Sequence, residues 1–345
     1  MLEYLYSLAS DKRKGVIAQS LKAILFVLAI IYGAFIRLLI CLSLIRRKKL
    51  LLKVISVGNI TLGGTGKTSL VEFIALKLKN NGHRSAILSR GYKSAKGNIG
   101  DEPVMLAEKL SGVEVITGKD RISSANQAAA IPGVDTVILD DAFQQWRIIK
   151  DLDIVLINAL EPFGNLQMLP RGILREPLSS LKRAGIFVIT KTNLVRDTQK
   201  IRQLLNKINP AAQVFEAVHL AEGFYSINNK EKIMGPESLK GKTALIFSGI
   251  GDPDSFERLL SAQGLKISLS FKFPDHHNYA KHDLDSIISA AQGENIDTII
   301  TTEKDAVRLK GLALPQGLEI LVLKIKLAII NEEKFISRLL GIYPA

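Results

Sequence analysis

Apolar positions along the 345-residue chain fall into two kinds of run. One kind is short, nearly continuous and rich in β-branched residues: Lys53–Val57, Ser85–Ser89, Val113–Ile116, Thr136–Leu139, Leu152–Ile157 and Ile186–Thr190. Such runs predict strands buried on both faces. Between several of them lie stretches with helical spacing, near Glu102–Leu110, Ser123–Ile131 and Thr198–Ile208. Strands alternating with helices predict a mostly parallel sheet covered on both sides, with ligands gathering at the carboxyl ends of the strands. Residues Gln213–Lys242, alternating and turning at Asn228-Asn229, predict an extended two-stranded linker. A second alternation follows: a strand at Leu245–Gly249, a helix at Ser255–Gln263, a strand at Ile267–Phe273, a helix near Leu284–Gln292 and a strand at Asp297–Thr302. The expected division is therefore 1–50, an N-terminal helix with basic flanks; 51–212, the larger α/β domain; 213–242, the linker; and 243–345, a smaller α/β domain.

The stretch Ala23–Ile45 is different, with 23 residues carrying only one charge, Arg37. Its length permits crossing a bilayer, which takes about 20 apolar residues. Arg37 would cost about 3 kcal/mol near the bilayer centre, and basic residues on both sides divide the orientation signal. A helix lying in the cytoplasmic leaflet satisfies both clusters; the competing reading is a buried core helix. The run starts too late, is too long and lacks a small-residue cleavage site for a signal peptide. Charge supports membrane attachment. The first 50 residues hold nine Lys or Arg against two acids, more than half of the net +13. The basic clusters bracket an apolar helix and show no interleaved aromatics, so they point to an anionic membrane surface and not to nucleic acid. The single Cys41 allows no internal disulfide, which excludes a disulfide-stapled scaffold.

After the first predicted strand the chain reads Gly-Asn-Ile-Thr-Leu-Gly-Gly-Thr-Gly-Lys-Thr-Ser, residues 58–69. Strand, glycine-rich turn and helix in this order are what a phosphate loop needs. Gly63, Gly64 and Gly66 let amide N–H groups turn towards phosphate oxygens, Lys67 brings charge, and Thr68 offers a hydroxyl to Mg²⁺. The candidate nucleotide-holding set is Thr61, Leu62, Gly63, Gly64, Thr65, Gly66, Lys67 and Thr68. Thr61 stands where the general G-x-x-x-x-G-K-[ST] pattern has its first glycine. Asp140 and Asp141, after an apolar strand, match the acidic pair that holds Mg²⁺ opposite such a loop.

A nucleotide-hydrolysing switch at the membrane is one reading. Thr190-Lys191-Thr192-Asn193 approaches the guanine-reading motif, but Asn193 lacks the two acceptor oxygens that guanine requires. A partition-type ATPase would carry a signature lysine where this chain has Leu62.

The chain resembles the tetraacyldisaccharide 4′-kinase family over nearly its whole length. The resemblance rests on GNITLGGTGKTS at 58–69, SRGYK at 89–93, GDEPVMLA at 100–107, GKDR at 118–121, DDAFQ at 140–144, LPRGILREP at 169–177, FSGIGDP at 247–253, FPDHHNY at 273–279 and TTEKDAVRL at 301–309. That family has threonine at the position of Thr61. It commonly has proline, glycine, histidine and glycine where this chain has Ser69, Ala142, Gln145 and Lys93. The resemblance implies Mg²⁺-dependent transfer of the γ-phosphate of ATP to the 4′-hydroxyl of a lipid A precursor glycolipid, the tetraacyldisaccharide 1-phosphate, giving lipid IVA. It implies action at the cytoplasmic face of the bacterial inner membrane, with a monomer expected. It makes Asp101 the base, with His276 orienting and tuning it and Lys67 stabilising the transferred phosphate. Thr68, Asp140, Asp141 and Glu176 become the metal side, and Arg121 and Arg175 hold phosphate oxygens. By residue type alone, Asp101 is as readily a helix cap and His276 a loop histidine. On the expected domain division, Asp101 and His276 lie in different domains.

Overall fold

The computed structural model describes residues 8, 11, 13–91, 100–310, 312 and 319–344. Glu3 and Lys12 near the N-terminus, and Tyr92 and Lys93 of SRGYK, lie outside them. In chain order the elements are α1 (Val16–Ile45), β1 (Lys53–Gly58), α2 (Lys67–Asn80), β2 (Arg84–Ser89), α3 (Asp101–Lys109), β3 (Glu114–Thr117), α4 (Arg121–Ala129), β4 (Val134–Asp140), β5 (Leu152–Asn158), β6 (Ile186–Thr190), α5 (Gln199–Ile208), β7 (Gln213–Ser226), β8 (Asn229–Met234), β9 (Thr243–Ser248), α6 (Pro253–Ala262), β10 (Lys266–Lys272), α7 (Lys281–Gly293), β11 (Thr298–Thr302), α8 (Glu303–Arg308), β12 (Ile320–Ile329) and α9 (Glu332–Leu340).

These group into two compact units that are discontinuous in sequence: Met1–Arg90, Gly118–Ala217 and Ile329–Ala345 in the first, Gly91–Thr117 and Val218–Ala328 in the second. Contiguous blocks were expected, and the difference falls on the site. The segment that carries Asp101 clusters with the second unit, so Asp101 and His276 belong to one unit and not to two. Hydrophobic runs mark strands and helices but carry no record of which neighbours they bury against.

In the first unit β6, β5, β1, β4 and β2 run parallel, and the first residues of β7 continue the sheet beside β6. Strands β5 and β6 are buried at every position, which is why they read as unbroken apolar runs. Register sets the site: Val57 at the end of β1 pairs with Asp140 at the end of β4, and Gly58 pairs with Val155 of β5. The acidic pair therefore begins beside the point where the phosphate loop leaves β1.

Helix α1 starts seven residues earlier than its apolar run and is not a core helix. Ala18, Ala29, Gly33 and Ile36 are buried, whereas Ile24, Phe26, Val27, Leu28, Ile30, Ile31, Phe35, Leu38 and Leu42 are exposed. The small residues are a seam: a Cβ on Gly33 would lie 3.3 Å from Met168 Sδ. Next to it the Tyr32 hydroxyl donates to the Arg175 carbonyl at 3.1 Å.

In the second unit β10, β9, β11 and β12 are parallel, and the later part of β7 forms an antiparallel hairpin with β8. The linker expected to be two-stranded is this hairpin. One core gathers Phe224, Ile246, Leu260 and Leu323, another Phe247, Tyr279, Leu284 and Ile299.

Gly58 has little room. A Cβ there would sit 2.5 Å from the Phe143 backbone nitrogen, in a core where neither partner can yield. Gly58→Ala is expected to cost about 2 kcal/mol or more, read as a thermal midpoint lowered by about 4 °C or more.

Candidate active site

The phosphate loop spans Asn59–Gly66 between β1 and α2. Gly63 and Gly66 take φ values of 102° and 88°, in the left-handed region that side chains resist. Thr61 is not among the positive-φ residues. It is buried, pairs with Leu174 in an isolated antiparallel bridge, and accepts the Asn59 side-chain amide on its carbonyl and hydroxyl. An extended backbone at this position needs no glycine and suits a β-branched residue. Beyond it, the Leu62 N–H donates to the Ile173 carbonyl at 2.9 Å, and the Leu62 side chain is exposed. Thr61 and Leu62 thus fasten the loop to the 173–175 segment. Thr65 and Thr68 are buried at the entry to α2. The loop is braced from behind by Thr190 Oγ1 on the Thr65 carbonyl at 2.9 Å and Lys191 Nζ on the Gly64 carbonyl at 2.8 Å. Thr190-Lys191, which resembled part of a guanine-reading motif, supports the loop instead.

Lys67 Nζ lies 3.2 Å from Asn59 Oδ1 and 3.5 Å from Asp141 Oδ1. Arg175 grips Asp141 with both ends of its fork, at 3.0 and 3.2 Å, and also bonds Asn59 Oδ1 and the Thr61 carbonyl. Burial would raise the Asp141 carboxyl, but Lys67 and Arg175 outweigh it and hold it down at about 2. The carboxylate stays charged throughout the physiological range.

Two residues expected at the ligands have protein partners that their motifs did not suggest. Arg121, expected on phosphate, is buried, and its Nη groups donate to the Gly118 and Asp140 carbonyls at 2.8 and 3.3 Å. It clamps the strand end that presents Asp140. Glu176, expected at the metal, is wholly buried and accepts from Gln144 at 3.0 Å, Trp146 at 3.1 Å and Arg183 at 2.8 Å. Those three donors hold a buried anion in place and tie 144–146 to the Arg175-bearing segment.

Among the described residues no three His, Cys, Asp or Glu side chains gather as cation ligands. Mg²⁺ at a phosphate loop does not need such a cage, since it keeps waters and takes phosphate oxygens with one or two protein groups. Thr68 at the start of α2 and the acidic pair beside the loop are oxygen donors of that kind, so this chemistry suits Mg·nucleotide.

The second unit builds its own cluster. Asp101 opens α3, where it is not the cap; Gly100 is. Asp101 Oδ2 accepts Arg308 Nε at 2.6 Å and lies 3.6 Å from His276 Nδ1. Arg308, on α8, also reaches the Gly249 carbonyl at 2.5 Å and Asp305 Oδ1 at 3.0 Å. Asp305 is fully buried and is itself held by the Gly249 N–H, Tyr279 and Thr302. His276 has a φ of 60°, and its N–H donates to the Gly249 carbonyl at 3.1 Å. Its neighbour His277 points elsewhere, bonded to Asp283 at 3.0 Å and stacked on Phe273. Ion pairs Lys109–Glu303 and Lys304–Glu102 fix α8 to α3.

Arg308, Asp305 and Asn59 carry no sequence assignment although all three lie inside matched motifs. Their signal was available: an Arg in TTEKDAVRL one helical turn after an Asp, and an Asn straight after the strand end. Residue type did not reveal that their partners come from distant segments.

The loop, its lysine and the neighbouring carboxylates place the chain among phosphate-loop nucleotide-handling proteins. The model of the family described as tetraacyldisaccharide-1-P 4′-kinase matches residues 21–343. A tetraacyldisaccharide 4′-kinase of Halothermothrix orenii is 40% identical over 323 residues, covering 83% of each chain. Another, from Desulfatibacillum aliphaticivorans, is 34% identical over 340 residues, covering 91% of this chain and 90% of the relative. The crystal structure of LpxK from Aquifex aeolicus in complex with ATP superposes with a TM-score of 0.71 at 28% identity, covering 94% of this chain and all of that one. This chain belongs to the tetraacyldisaccharide-1-P 4′-kinase family.

The Asp101–His276 pair has a signature in pH. Its bond to Asp101, against opposing burial, raises the His276 pKa. Burial would raise Asp101, but His276 and Arg308 pull it below the ordinary carboxylate range. A raised histidine contributes stability that is complete below its unfolded pKa and is lost as pH climbs through the folded value. His276 is therefore expected to titrate above about 6.5 by NMR, and Asp101→Asn to bring it back down.

Proposed function

We propose that the protein transfers the γ-phosphate of ATP to the 4′-hydroxyl of tetraacyldisaccharide 1-phosphate, giving lipid IVA. The observation that carries this reading is the joint hold of Lys67, Arg175 and Asp141 on the phosphate loop, in a chain of this family. When bound, Mg·ATP supplies the phosphoryl group and part of the charge neutralisation.

The residues of the chain do the rest. Glycines at 63 and 66 open the loop backbone to phosphate oxygens, and Lys67 offers its ammonium to the charge that develops on transfer. Thr68, Asp140 and Asp141 are the oxygen donors on the metal side, and Arg175 keeps Asp141 ionised and aimed. Asp101 accepts the proton of the sugar hydroxyl. Its lowered pKa makes it a modest base, which fits phosphoryl transfer through a loose transition state in which little proton affinity is needed before the phosphate departs. His276 and Arg308 orient Asp101, and Arg308 is itself fixed by buried Asp305.

The chain works as a monomer in this reading, with every group named supplied by one copy. Helix α1 lies in the cytoplasmic leaflet, supported by its one narrow buried seam and its basic ends. Acyl chains leave a bilayer only at a cost of about 0.8 kcal/mol per CH₂, so an enzyme acting on such a glycolipid works at the membrane.

Purified protein with Mg·ATP and tetraacyldisaccharide 1-phosphate is expected to yield a phosphorylated lipid, detected by thin-layer chromatography with labelled ATP. Absence of product across detergents would overturn the proposal. Asp101→Ala and His276→Ala should reduce turnover by about 10²-fold or more while nucleotide binding survives. Arg308→Lys, which keeps the charge but loses the fork, should lower kcat without altering the KM for ATP; full turnover would remove it from the mechanism.

A further inference from the structure

At the far end of α1 the chain runs Arg46-Arg47-Lys48-Lys49, and this segment is sewn to the first unit's sheet domain. The Lys48 N–H donates to the Arg147 carbonyl at 2.7 Å, the Ile149 N–H returns to the Lys48 carbonyl at 2.9 Å, and Arg47 Nε reaches the Trp146 carbonyl at 3.3 Å. Beside this seam opens a cavity of about 290 Å³ whose lining includes Arg47, Trp146, Ile149, Lys150, Arg183 and Arg338.

Its charges do not cancel. Lys150 is paired with Asp153 at 2.9 Å and Arg183 with Glu176 at 2.8 Å, while the remaining lining acid, Asp151, holds the Val54 N–H and Lys53. Among the described residues neither Arg47 nor Arg338 is paired with a carboxylate. Two guanidinium groups in excess, next to exposed Ile149, match a lipid phosphate whose charge is not offset by its own headgroup.

The cavity is separate from the nucleotide site. Its floor is Asp151–Asp153 at the amino end of β5 and Gly185 just before β6, whereas the phosphate loop leaves the carboxyl end of β1. In register Ile55 of β1 pairs with Leu152 and Gly58 with Val155, so three residues of strand, about 10 Å, lie between the two levels. Helix α1 runs between the two regions, with Tyr32 on the Arg175 carbonyl and, two residues past its last residue Ile45, Arg47 in the cavity lining.

We propose that this cavity binds the headgroup phosphate of an anionic phospholipid, as an accessory membrane site distinct from the acceptor site. The proposal rests on α1 lying at the membrane. Basic clusters at the end of an apolar helix are attracted to anionic lipids, and a walled cavity adds a fixed position to that attraction.

The full chain is tested by flotation with phosphatidylcholine vesicles, with and without phosphatidylglycerol. Wild type should bind both, and more tightly the vesicles with phosphatidylglycerol. Arg338→Ala and Arg47→Ala should each reduce that gain about fivefold, the loss of roughly 1 kcal/mol per basic residue, with kinase turnover in detergent unchanged. Lys334→Ala, exposed on α9 and outside the lining, should stay within about twofold of wild type, well short of that step. Equal losses for Lys334→Ala and Arg338→Ala would mean diffuse attraction and overturn the cavity. Binding to neither vesicle would overturn the membrane reading of α1 and the cavity with it, whereas equal binding to both vesicles overturns the cavity alone.

Discussion

Asp141 holds an awkward position, and the phosphate loop takes its shape from how that position is maintained. Its φ of 48° is one that a side chain resists, and its carboxylate is partly withdrawn from water. Arg175 makes the position stable by answering both oxygens at once and by using its remaining N–H groups on Asn59 and the Thr61 carbonyl. A lysine there could not do this, because it has no planar fork with which to meet two acceptors. The backbone of the same arginine is fixed too: its N–H donates to the Ile60 carbonyl and its carbonyl accepts from Tyr32. One residue therefore links the acidic pair, the entry to the loop and helix α1. Removing it would leave Lys67 alone to serve both Asp141 and Asn59, and the loss of donors to partly buried oxygens costs more than the bonds themselves.

The second unit solves a similar problem with a different arginine. Arg308 lies between two carboxylates, Asp305 wholly buried and Asp101 partly exposed. Asp305 is saturated by donors from Gly249, Tyr279 and Thr302, so it anchors the guanidinium and cannot itself act as a base. Among the described residues Asp101 meets Arg308 and the more distant His276 imidazole, which leaves lone pairs on its oxygens unused. The division of labour between two aspartates follows from how many donors each receives.

The fold was legible because its signal is periodic. β5 and β6 bury every position, so their sequences could hardly be anything but central strands, and their limits were placed almost to the residue. Helix α8 and strand β12 were not anticipated. Glu303–Arg308 is too short to show a helical period, and β12 shifts from buried to mixed exposure along its length. Within the site, groups whose role is local to a motif were readable: Lys67, Thr68 and the glycines follow from their spacing. The protein partners of Arg121 and Glu176 were not legible, because a charged residue in a matched motif looks the same whether it meets a ligand or a buried protein group. Only three-dimensional partners distinguish the two. Arg175, given a phosphate role by resemblance, also bonds the loop and Asp141 directly, which no motif revealed.

The same reasoning explains why the domain division misled. Sequence order put Asp101 with the phosphate loop, since α3 follows β2 in the ordinary alternation. Yet α3 is held by the charges of α8, Lys109 to Glu303 and Lys304 to Glu102, and by Arg308 on Asp101. These are contacts between segments some two hundred residues apart, made by side chains that on their own read as solvated helix faces. What binds α3 to the second unit is therefore the Asp101 cluster itself: the pairs that orient the carboxylate proposed as the base are also those that decide to which unit its helix belongs. Any substitution that frees Asp101 from Arg308 acts on both at once, so stability of this unit and orientation of the Asp101 carboxylate are physically coupled.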